Sequence, residues 1–159
     1  MHPTDLAAAL TAARAAMETA LAGLPDTHYL TPGAAGLWTV KDVLAHLTHW
    51  EVDLVTSLAK FRRGQSPGKT IYTTAEINAQ NARWHTESQA RSLSQVQADY
   101  HGVRKQTIRQ VEALTEPDLN APRAWLKQDT IRHWVLAWVV EHEQEHAQHL
   151  TEWRRQAGV

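Results

Sequence analysis

The 159-residue sequence has no cysteine, one phenylalanine and no surplus of charge of either sign. Without cysteine there is no disulfide, no thiolate ligand and no cysteine nucleophile, so a bound metal would have to rest on His, Asp, Glu or water. The lack also suits a cytoplasmic protein, which is the expected location. Sixteen basic residues against seventeen acidic ones give a formal charge of −1, so no global field draws the chain to nucleic acid or anionic lipid. No apolar run approaches the length of a bilayer span, and the N-terminal MHPTDLAAALTAARAAM lacks the basic-then-apolar order of a signal peptide. Alternating β-branched runs, internal repeats, a G-x-S-x-G elbow and a Gly-rich phosphate loop are all missing as well. These absences fit one domain over residues 1–159 and give neither nucleic acid nor membrane as partner.

What the chain does have is helical periodicity, ten histidines and seven tryptophans. Leu6, Leu10, Met17 and Leu21 space a first helix from about Thr4, its expected N-cap, to Gly23. A second helix runs from Thr39, as cap, to about Arg62. Val43, Leu47, Trp50, Leu54, Leu58 and Phe61 fall within roughly 60° of one line on it. His46 sits at the edge of that buried face, and His49 lies far enough round to be mostly solvated. The polar stretch Thr74 to Ser88 predicts a short or irregular helix. Val96, Tyr100, Val103, Thr107, Val111 and Leu114 mark a longer one from about Ser94. Asp129 or Thr130 caps a last helix that reaches about Gln156. The fold class is therefore all-α, an antiparallel four-helix bundle with one short extra helix.

The last helix carries the chemistry. At about 100° per residue, Ile131, Trp134, Trp138, His142, His146, His149 and Trp153 share one stripe. Imidazoles on an inward face are costly unless something satisfies them, and a divalent metal does so. His142 and His146 are spaced i,i+4, the arrangement with which a helix offers two nitrogens to one ion. His146 and His149 are spaced for chelation too, and periodicity alone does not choose between the pairs. A third ligand must come from another helix, where His46 is the histidine on the rim of an apolar face. Three imidazoles leave coordination positions open to water or substrate; zinc suits them, as do nickel, cobalt and iron. Glu145 lies near the inner stripe as a candidate base, while Glu143 is expected to point outward. Trp50 and Trp138 serve core packing or contact substrate.

Two segments resemble the DinB-like superfamily of metal-binding four-helix bundles. WTVKDVLAHLTHWE (Trp38 to Glu51) is similar to its second-helix pattern W-[ST]-x-x-[DE]-x-x-x-H. HEQEHAQHL (His142 to Leu150) is similar to its last-helix H-x-x-x-H, about 95 residues further on. The likeness is strongest to the ClbS/DfsB-like branch. It implies an up-down-down-up bundle, frequent homodimers and one divalent ion, commonly zinc or nickel, on His46, His142 and His146. It also implies that His149 stands where the family usually has glutamine, a departure that makes it a candidate alternative ligand or substrate contact. The activities implied are thiol S-transfer, with a low-molecular-weight thiol as co-substrate, or hydrolysis of a small electrophile. A non-catalytic metal- or small-ligand-binding stress protein is the alternative.

Overall fold

Five of the helices start from capping boxes, in which the cap and the third helical residue exchange hydrogen bonds. The pairs are His2 with Asp5, Thr39 with Asp42, Thr73 with Glu76, Ser92 with Gln95 and Thr115 with Asp118. In the computed structural model, which describes residues 1–159, they open α1 (Pro3–Leu21), α3 (Val40–Arg62), α4 (Thr74–Gln89), α5 (Leu93–Glu112) and α6 (Glu116–Asn120). A short α2 (Asp26–Tyr29) follows α1. The last helix is built from α7 (Ile131–Val135), a π-helical turn (Leu136–Glu141) and α8 (His142–Ala157), and Thr130 caps it. The first cap is His2 rather than Thr4, because the His2 ring accepts the Thr4 amide and Pro3 starts the helix. A two-residue hairpin, β1 (Pro122–Arg123) against β2 (Asp129–Thr130), is the sole sheet.

Polar contacts fix the helix directions. Arg14 and Arg104 bond the carbonyls of Tyr100 and Leu10, so α1 and α5 run antiparallel. Lys41 reaches the Arg91 carbonyl where α3 and α5 begin, and Arg62 meets Gln110 where they end, so these two run parallel. Arg14 meets Glu143, and Arg154 meets the Ala20 carbonyl, so α1 and α8 are parallel too. The bundle is up-down-down-up.

Parallel neighbours need a long return, and α4 supplies it by running back along α3. It is a regular helix of 16 residues where the sequence suggests a short or irregular one. Its Thr73–Glu76 cap supports it locally. Only Ser88 is buried, which is why no apolar stripe announces it.

Two apolar clusters fill the bundle. One includes Leu6, Leu10, Leu54, Leu58, Val111 and Ile131, the other Met17, Val43, Leu47, Tyr100, Ala147 and Leu150. Between them lies a layer of buried charge, with one residue from each long helix. Arg14 Nε donates to Glu143 Oε1 at 2.8 Å, and Arg104 donates to both Glu51 oxygens at 2.7 and 3.0 Å. Arg14 also reaches Glu51 at 3.3 Å. Arg104 Nη1 lies 2.8 Å from Glu143 Oε2, close enough to pair charges without hydrogen-bond alignment. Tyr100 donates its hydroxyl to Glu143.

The buried position of Glu143, 1% exposed, overturns the expectation that it points outward. The reason is the π turn. An i→i+5 turn takes up one residue more than an α-helix does, so the face slips by one. The straight-helix stripe puts Trp138, His142, His146 and His149 inside. The residues most deeply buried are instead Val139, Glu143, Ala147 and Leu150, each one position later. His142 and His146 are thereby turned about 100° off the bundle axis, toward α3 and α4.

Candidate metal centre

With the slip in place, His142 and His146 project from neighbouring turns of α8 beside the buried stripe, and His46 meets them from α3. His142 Nε2 lies 3.1 Å from His46 Nε2 and 3.2 Å from His146 Nε2. One nitrogen from each of the three falls within 4.8 Å of the others, with all three rings partly buried. Nitrogens that each bind one ion at about 2.0–2.1 Å stand roughly 3.0–3.4 Å apart, so the two shortest separations fit a shared ion. No carboxylate belongs to the cluster. The donor set is all imidazole and can hold a divalent metal.

The electrostatics agree with neutral ligands. Burial, then the neighbouring charges of His142 and His146, lower the His46 pKa to about 3. Burial, then His142 and His149, lower that of His146 to about 4. Burial lowers His142 as well, opposed by the Trp138 carbonyl and the charges of Glu145 and Glu143. A metal ligand must be unprotonated, and all three rings are held that way near neutral pH. The His46 Nδ1 atom is buried without a hydrogen-bond partner.

The tripod opens onto a cleft of about 430 Å³ between α3, α4 and the π turn. Trp50, Trp138 and Glu145 line it, along with His46 and His142. His149 is exposed, its ring centroid 6.2 Å from that of His146, and it does not line this cleft. Glu141 of the π turn, beside the ligands in sequence, also forms the wall, as do Ile77 and Asn81 of α4, which the sequence did not single out. The Trp50 indole donates to Asn81 Oδ1 at 2.9 Å, so α4 pins one aromatic wall. Trp84 packs edge-on against Trp50 and stacks on His49, which is half-buried rather than solvated. Asp42 accepts from Thr39 and Gln89 and faces His85, which makes it a cap and a tie to α4. Arg62 and Lys69 are engaged with Gln110 and Glu76, away from the cleft.

The sequence matches the DinB superfamily over residues 9–150, close to its whole length. The chain belongs to the DinB superfamily. Solved structures show how widely this bundle recurs. An uncharacterised protein from Escherichia coli UTI89 superposes with a TM-score of 0.82 at 15% identity, covering 99% of this chain and 95% of its own. One from Clostridium difficile 630 gives 0.82 at 10% identity over 98% and 96%. A structure described as Sibling Lethal Factor Precursor - DfsB gives 0.79 at 15% over 99% and 97%. Identities this low establish a shared DinB fold and nothing finer. No curated protein gives a significant match. No helix of this DinB chain is long and apolar enough to cross a membrane.

Proposed function

We propose that this protein is a divalent-metal-dependent enzyme that acts on small electrophilic compounds by thiol S-transfer or hydrolysis. The observation that supports it is three neutral imidazoles converging within 4.8 Å, two of which, His46 and His142, line an aromatic-walled cleft. His46, His142 and His146 are the proposed ligands, and zinc and nickel are the proposed ions. A bound divalent ion in an all-imidazole site supplies Lewis acidity, which lowers the pKa of a water or thiol it holds. Glu145, which lines the cleft, is the proposed general base for that proton. Trp50 and Trp138 flank the electrophile and keep water from its apolar part. His149, outside the cleft, is proposed only as a contact for the distal part of a longer substrate.

The test is metal analysis of the purified protein with turnover of reactive electrophiles in the presence and absence of a thiol. The expected result is one ion per chain and metal-dependent turnover, with both reduced to background in His146→Ala. Stoichiometric metal without turnover of any electrophile would assign the chain to metal or ligand binding instead. Absence of stoichiometric uptake by the wild type would remove the metal reading.

A further inference from the structure

The walls of the cleft differ sharply in charge from its floor. Glu141 and Glu145 stand one helical turn apart beside His142, both exposed, and neither makes an ion pair or hydrogen bond with the rest of the chain. No lysine or arginine lines the cleft. Five cations of the chain are paired elsewhere: Arg14 and Arg104 in the buried layer, Lys69 with Glu76, Arg83 with Glu87 and Arg91 with Asp99. On the same wall, Trp138, three residues before Glu141, meets Trp50 of α3 with ring centroids 5.3 Å apart at 53°, and Trp50 is held by Asn81. Indole faces attract cations through their quadrupole, and free carboxylates add a direct charge term.

Resting on the proposed metal site, we propose that this cleft selects substrates carrying a positive charge, with Glu141 and Glu145 as the specificity-determining residues. The ligand class is an amine-bearing molecule whose donor atom faces the tripod while its ammonium sits between the carboxylates and the indoles. A thiol co-substrate of this class is an aminothiol. A thiol that brings several carboxylates of its own meets repulsion from Glu141 and Glu145 and finds no arginine or lysine in the wall to receive them.

The experiment loads the protein with cobalt(II) and titrates three small thiols of similar size: cysteamine, mercaptoethanol and mercaptopropionate. Binding is read from the thiolate-to-cobalt absorption. Because the thiols differ in intrinsic acidity, the measured quantity is the cysteamine-to-mercaptopropionate affinity ratio in the wild type relative to the Glu141→Gln/Glu145→Gln double variant. Both residues are exposed, so the variant should fold as the wild type does. The expected result is a ratio that falls roughly tenfold in the variant, and a wild-type preference that shrinks with added salt. Absorption with all three thiols and an unchanged ratio overturns the charge selection while leaving the metal site standing. Failure to take up cobalt, or no thiolate absorption with any thiol, overturns the open metal site itself and the selection with it.

Discussion

At the level of single side chains, the imidazoles of His46, His142 and His146 sit where protonation costs most. The unfolded chain titrates each near 6.5, whereas the fold lowers His46 to about 3 and His146 to about 4. Between those values the unfolded state binds more protons, so stability rises with pH across the window. In metal-free protein this predicts full stability above about pH 6.5 and a steady loss below it. His46 alone accounts for about 2 kcal/mol by about pH 5. Urea unfolding at about pH 7 and pH 5, for wild type and His46→Ala, checks this; the variant should lose less on acidification. Equal losses in both proteins would sink the assignment. His46 was legible because the apolar spacing of its helix put it on a rim. The orientation of Glu143 was not, because its immediate neighbours in EHEQEH are all polar and nothing local separates a buried carboxylate from an exposed one.

At the level of elements, the π turn (Leu136–Glu141) decides what the last helix presents. Apolar periodicity located that helix and left its cap between Asp129 and Thr130, of which the fold uses Thr130. It could not reveal one residue of slip, because Trp138 and Val139 are both apolar and either serves as the inward position. The extra residue makes a specific prediction. Deleting Ala137 should convert the turn to regular α-helix and leave Glu143, Ala147 and Leu150 facing inward, so cooperative unfolding and metal uptake persist. Deleting Gln144, beyond the turn, rotates Ala147 and Leu150 by about 100° against Glu143 and should lower the Tm and abolish stoichiometric uptake. Thermal melts and metal analysis of the two deletions compare them directly. Matching behaviour of the two would mean that the turn does not set the register. Helix α4, legible only as a short or irregular helix, lacks a stripe for the opposite reason: it lines the cleft with Asn81 and Ile77 while burying almost nothing.

At the level of the whole molecule, the charged layer ties the four long helices at one height. Arg14, Glu51, Arg104 and Glu143 are 6, 3, 4 and 1% exposed, so removing one strands its partners in a dry site. Glu143→Ala should cost about 3–5 kcal/mol of unfolding free energy. Adding Arg14→Ala should cost less than the sum of the two single losses, because the partner left uncompensated is then gone too. Urea titrations of the single and double variants measure both quantities; additivity would contradict the coupled layer. The layer also bears on the order in which the bundle can assemble. A chain still missing its C-terminal helix has two guanidiniums for one carboxylate at this height, a net positive charge that draws water into the open side of the bundle. Three helices therefore have no stable packed form of their own. During synthesis the first 130 or so residues should stay loosely held, and the bundle closes only when Glu143 arrives.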